Sequence, residues 1–125
     1  MMNYADYLRE FTLKDTSIMK CGTDQLIEMI AKDEAVLLDI RMPGEYEAWH
    51  FGFGLHIPLN ELPDRLDEIP TDKIIVAACP HNDRANMARQ FLHLHGYQAK
   101  YLSAGMLDLA SRLRNVMAED WKPKK

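Results

Sequence analysis

The sequence predicts an α/β fold, with a mostly parallel sheet covered on both faces by helices. Three observations predict it. The apolar runs "AVLLDIR", "KIIVAA" and "AKYL" are short and bounded by turn formers, which favours buried strands over helices. Amphipathic stretches at helical period lie between them. The connections are a few residues long, as right-handed crossover units require. No repeat, low-complexity tract or linker interrupts the 125 residues, so one domain is expected.

Residues 3–14 carry Tyr4, Tyr7, Leu8 and Phe11 at the spacing of an amphipathic helix, and the stripe reads as core cover or a dimer contact. "SIMKC" reads as a short strand. Thr23 is a candidate N-cap for a helix carrying Leu26, Ile27, Met29 and Ile30. After "AVLLDIR", Pro43 and Gly44 open a turn and "GEYEAWH" forms a helical turn or two. Gly52 and Gly54 make "FGFGLHIPL" a loop ending in a short strand. "NELPDRLDEI" places Leu62, Leu66 and Ile69 on one face of a brief helix closed by Pro70.

"KIIVAA" leads to Cys79, and a helix from about Arg84 to His95 turns Met87, Ala88, Phe91 and Leu94 inward. Gly96 sits where a left-handed C-cap belongs. After "AKYL", a last helix over residues 106–117 carries Leu109, Ala110, Leu113 and Val116. The expected boundaries are an N-terminal helical extension at 1–16, the domain at 17–120 and a solvated tail at 121–125.

A composition 47% hydrophobic and 27% charged is that of a globular domain, and the net charge of −4 argues against nucleic acid or anionic membrane as the main partner. No window approaches the roughly 18 apolar residues that span a bilayer, and the N-terminus lacks the apolar run of a secretory signal. A cytoplasmic address follows as the expectation. In that reducing compartment Cys21 and Cys79 are expected as free thiols, Cys21 structural. His93 and His95 face apart on a helix, and with no C-x-x-C pair no metal site is expected.

Cys79 ends a buried strand and precedes a helix, at the carboxyl rim where open α/β sheets bind ligands. If residues 80–84 curl tightly, several backbone N–H groups converge on the sulfur and the helix dipole adds positive charge. Such surroundings lower a thiol from about 8.5 to roughly 3.5–7.5 and make it a nucleophile. The same cradle suits a persulfide anion. Arg84 adds a cation and His81 a conditional one, whereas Asp83 opposes both.

These residues carry a resemblance. The stretch over residues 17–113 resembles a single-domain rhodanese, a sulfurtransferase. Asp39-Ile40-Arg41 matches the family's D-[VI]-R, and Glu45-Tyr46 with His50 its E-[YF]-x-x-G-H. Ile57-Pro58 matches its I-P pair, and Cys79 and Arg84 the ends of C-R-x-G-x-R. Leu102, Ala104 and Gly105 match its late L-x-G-G turn.

The resemblance implies a three-layer fold with a central sheet of about five strands. It implies that Cys79 is the catalytic nucleophile, that Pro80, His81, Asn82, Asp83 and Arg84 bind substrate, and that Asp39, Arg41 and His50 support the site. Arg41 and Glu45 are expected to pair. A small sulfur donor, a thiol or cyanide acceptor and a sulfur-relay protein are the implied partners, with no cofactor required. The family's phosphatase and arsenate-reductase relatives carry one more loop residue than the four between Cys79 and Arg84, which favours sulfur over an oxyanion.

Three departures stand out. Asn82 replaces the loop glycine, a tolerable change if positive φ is needed there. Pro80 replaces a basic residue and removes an N–H donor, which tells against thiosulfate as donor. Trp49 replaces a glycine and, with Phe51 and Phe53, offers an aromatic surface for the rival reading, a non-catalytic interaction or sulfur-carrier module.

Overall fold

Apolar residues crowd the two central strands because a parallel sheet is buried on both faces. The computed structural model describes residues 1–114 and 119–121. Its elements run α1 (Tyr4–Arg9), α2 (Asp15–Ile18), β1 (Lys20–Cys21), α3 (Thr23–Ala31), β2 (Ala35–Asp39), α4 (Pro43–Ala48) and β3 (Leu55–His56). Two 3₁₀ turns (Leu59–Asp64 and Leu66–Glu68) follow, then β4 (Ile74–Ala78), α5 (Asp83–Leu94), β5 (Ala99–Leu102) and α6 (Gly105–Arg112). The five strands form one all-parallel sheet in the order β1-β5-β4-β2-β3.

The pleat sorts the core by alternation. Val76 and Ala78 of β4 face one layer with Leu26, Ile30, Leu37, Met106 and Leu109, under α3 and α6. Ile75, Ala77 and then Cys79 face the other, with Leu38, Ala85, Ala88 and Leu92 under α5. From β2 the chain moves to β3 on one side, and from β4 to β5 on the other. The loops beyond β2 and β4 therefore diverge at the carboxyl end of the sheet, the place where open α/β sheets bind ligands.

Several local expectations change. The first helix stops at Arg9 and buries none of its residues; Tyr4 is 48% and Phe11 42% exposed, so the stripe is not core cover. Asp15 explains the break: its carboxylate accepts the Thr12 N–H at 2.7 Å and starts a separate turn, α2. Ser17 and Ile18 belong to that turn, which leaves only Lys20 and Cys21 as strand. The N-cap of α3 is Gly22, whose N–H donates to the Gln25 side chain, while Thr23 is helical and donates its hydroxyl to Asp108.

"NELPDRLDEI" forms two 3₁₀ turns because Pro63 interrupts regular helix; Leu62 and Ile69 are still buried. On α5 the inward stripe is Ala85, Ala88, Arg89 and Leu92, and Met87 is 60% exposed. Arg89 takes an inward place because its guanidinium donates to the Ala99 carbonyl (3.2 Å) and the Tyr7 hydroxyl (2.5 Å), both polar partners beneath an apolar stem. Gly96 has φ +87°, the left-handed cap expected. Val116, Met117 and the tail from Lys122 onward lie outside the described residues.

Candidate functional site

Cys79 follows β4 directly, and the pleat alone sets the face on which its side chain falls. That face meets the first turn of α5. The Ala85 N–H points at Sγ from 3.4 Å, and Sγ–H donates to Asp83 Oδ1 at 3.8 Å. Among the described residues this is the one amide on the sulfur, not the ring of several expected from the loop. Pro80 supplies no N–H, and Cys79 itself is 0% exposed. His81, Asn82 and Asp83 are exposed, and Pro80 and Arg84 half-buried.

The loop is held from behind. Gly105 has φ +83°, and a Cβ there would stand 2.2 Å from the Pro80 carbonyl oxygen and 2.7 Å from that of His81. Its neighbour Met106 donates its N–H to the Cys79 carbonyl at 2.9 Å, and Asn82 Nδ2 donates to the Ser103 carbonyl at 3.3 Å. Asn82 has φ −148°, so its place in the loop requires no left-handed backbone.

The cations are distributed differently from the expectation. Arg84 makes a two-pronged ion pair with Glu45, at 2.7 and 2.9 Å. The Arg84 hydrogen bond is the main reason the Glu45 carboxyl is pulled down to about 2. Arg41 does not pair with the Glu45 carboxylate. Its Nε and Nη2 grip the Asp39 carboxylate at 2.9–3.2 Å, and one further N–H each from Nη1 and Nη2 donates to the Glu45 and Trp49 carbonyls. Arg41 is 1% exposed and lies 4.4 Å from the Trp49 ring centroid. A buried guanidinium needs a full set of acceptors, and the sharp turn after β2 brings carboxylate and carbonyls within its reach.

His50 joins a different structure. Its ring stacks on Tyr46 at 3.9 Å, His56 stacks on the opposite face at 3.9 Å, and His50 Nδ1 donates to the Tyr46 carbonyl. Tyr46 and His50 line a groove of about 450 Å³ with Ala35, Leu37, Phe51 and Phe53, and none of residues 79–84 lines it. The structure thus gathers Cys79, Pro80, His81, Asn82, Asp83 and Arg84 in one loop, with Arg41 and Asp39 bracing the adjacent turn, and sets His50 elsewhere. Phe51 and Phe53 are half-buried, packing toward Trp121 and the core while lining the groove, and Trp49 stays exposed, so the expected aromatic surface is only partly turned inward.

Sequence reasoning missed Glu45 as the partner of Arg84, 39 residues away, and the support given by Gly105. The positive φ of Gly105 had a signal in the glycine itself. The Glu45 pairing had none.

Cys21 is buried at the end of β1, its thiol pushed up to about 11 mainly by loss of solvent. Both cysteines are free.

An all-parallel five-stranded sheet with a cysteine loop between its fourth strand and the following helix defines a class, and the comparisons agree. Residues 22–111 match the Rhodanese-like domain family, and the chain belongs to it. Among curated relatives, the Uncharacterized protein YqhL of Bacillus subtilis (strain 168) is 38% identical over 63 residues, covering 50% of each chain. A protein named Sulfurtransferase from Allochromatium vinosum is 34% identical over 81 residues, covering 64% of this chain and 76% of that one. The single-domain sulfurtransferase RDL2 of Saccharomyces cerevisiae shares the fold with a TM-score of 0.66 at 22% identity, covering 90% of this chain and 100% of that one. The chain spans about half the length of curated relatives such as the Bacillus protein. No described helix is long and apolar enough to cross a membrane.

Proposed function

We propose that the chain is a rhodanese-type sulfurtransferase working through a persulfide on Cys79. The observation that carries the reading is the sulfur at the carboxyl end of β4, hydrogen-bonded by the Ala85 N–H at the start of α5. As a thiolate, Cys79 attacks the sulfane sulfur of a donor: thiosulfate, a polysulfide or a protein persulfide. The new Cys79–S–S⁻ is held by the Ala85 N–H and the positive end of α5, as a preorganised site holds an oxyanion. A thiol or cyanide acceptor then attacks the outer sulfur and releases the enzyme, a ping-pong cycle that needs no cofactor. Because Cys79 has no exposed surface, each half-reaction requires residues 80–83 to part far enough to admit one sulfur.

The experiment is mass spectrometry of the protein after donor treatment. A one-sulfur adduct on Cys79, removed by cyanide, is expected, and a folded Cys79→Ala variant should carry none. Thiocyanate formation by Cys79→Ala at the parent rate would overturn the assignment. The interaction-module reading receives less support, because Phe51 and Phe53 are half-buried against the core and only Trp49 of the three is exposed. Phosphatase chemistry would need a roomier loop than the four residues between Cys79 and Arg84.

A further inference from the structure

We infer that Asp83 fixes the class of sulfur donor: the site accepts the slender end of an organic persulfide and discriminates against dianionic thiosulfate. The inference rests on the sulfurtransferase reading above and narrows it. Four observations carry it together.

The Asp83 carboxylate lies 3.8 Å from Sγ, so any donor approaching the sulfur meets a negative charge at contact range. Arg84 is already in an ion pair, each Nη donating one N–H to Glu45 at 2.7 and 2.9 Å, so its charge is shared among Glu45, Asp83 and Cys79 and offsets Asp83 only in part. Arg41 is likewise consumed by Asp39 at 2.9 Å. Among the described residues Asp83 makes no ion pair of its own, and it is the charged side chain in contact with the sulfur. Finally, Cys79 is 0% exposed and among the described residues accepts one amide N–H, so the three sulfonate oxygens behind thiosulfate's terminal sulfur would find few donors there.

The chemistry balances without a further reagent. Sγ attacks the terminal sulfur of R–S–SH, the Sγ–S bond forms, and the R–S–SH bond breaks with its electron pair leaving on RS⁻. The proton that Cys79 lost returns to RS⁻, giving Cys79–S–SH and RSH. With thiosulfate the same attack would expel sulfite, but two negative charges would first have to pass Asp83. Asp83 is exposed, so solvent and salt screen its charge. One such charge at this range is worth about tenfold in rate, about 1.4 kcal/mol.

The test compares the parent chain with Asp83→Asn, Asp83→Ser and Asp83→Glu, using thiosulfate and 2-hydroxyethyl persulfide as donors and adduct formation on Cys79 as readout. The parent should load faster from the persulfide. In Asp83→Asn the ratio of thiosulfate to persulfide rates should rise about tenfold, with Asp83→Ser as a second neutral variant, while Asp83→Glu keeps the parent ratio. Added salt should raise that ratio in the parent and leave it flat in the neutral variants, which a merely structural role would not produce. An unchanged ratio in both neutral variants, with loading from both donors, overturns the role of Asp83 and leaves the sulfurtransferase reading standing. No loading of the parent by either donor overturns both.

Discussion

Arg41 is charged and 1% exposed, and it is stable there because its guanidinium donates to the Asp39 carboxylate and to the Glu45 and Trp49 carbonyls. Removing one partner is costly, because the other charge stays buried without compensation. Asp39→Ala should therefore destabilise the fold by about 3–5 kcal/mol, read from the shift in a urea denaturation midpoint. A loss within about 0.5 kcal/mol would mean the pair is not desolvated as the structure has it. Glu45 is the instructive contrast. The sequence places it four residues from Arg41, and local spacing suggested that pairing. Asp39 is closer to Arg41 and more deeply buried, so it wins the guanidinium and frees Glu45 to reach Arg84.

At the scale of elements, α6 acts as a backstop for the cysteine loop. Its first residue, Gly105, allows the Pro80 and His81 carbonyls to approach more closely than any side chain would permit. Gly105→Ala should cost about 1–3 kcal/mol from backbone strain and push the loop off its seat, lowering adduct formation on Cys79 more than it lowers helix content. Parallel kinetics and circular dichroism check this, and equal loading rates in variant and parent would refute the backstop. Elements also mark where pattern reading succeeds. β2, β4, α4 and α5 were legible because length, apolar runs and turn formers act locally. The first helix was overextended because a helical stripe does not reveal a side chain that caps a new turn, as Asp15 does. Met87 was turned inward for the same kind of reason: the stripe could not show that Arg89 finds buried acceptors on β5 and α1.

The pH dependence of folding belongs to the whole molecule, and two groups give it direction. The Glu45 carboxyl is lowered from 4.5 to about 2 in the folded chain, chiefly by Arg84, so its contribution is complete above about 4.5 and disappears as pH falls toward 2. The Cys21 thiol is raised from 9.0 to about 11 by burial, so the folded chain keeps a proton that the unfolded chain releases. Stability should fall as pH rises from about 9 to about 11. Glu45→Gln should flatten the acid limb and Cys21→Ala the alkaline limb, whatever their absolute stabilities, in urea titrations across pH. An alkaline limb that persists unchanged in Cys21→Ala would assign it to other groups. At this scale the two cysteines separate cleanly: one is sealed in the core at the sheet's edge strand, the other sits at the divergence of the loops beyond β2 and β4.

The sequence by itself determined the alternation of strands and helices, the cysteine at a strand's carboxyl end and the four-residue spacing to Arg84. Each of these is written in neighbouring residues, through apolar period, turn chemistry and chain length. Only the tertiary structure decided which carboxylate holds which guanidinium, that Asp83 faces the sulfur, that one amide serves it, and that His50 stands apart. Those outcomes depend on distances between segments far apart in the chain, where burial and competition among partners select one pairing from several that the sequence permits equally.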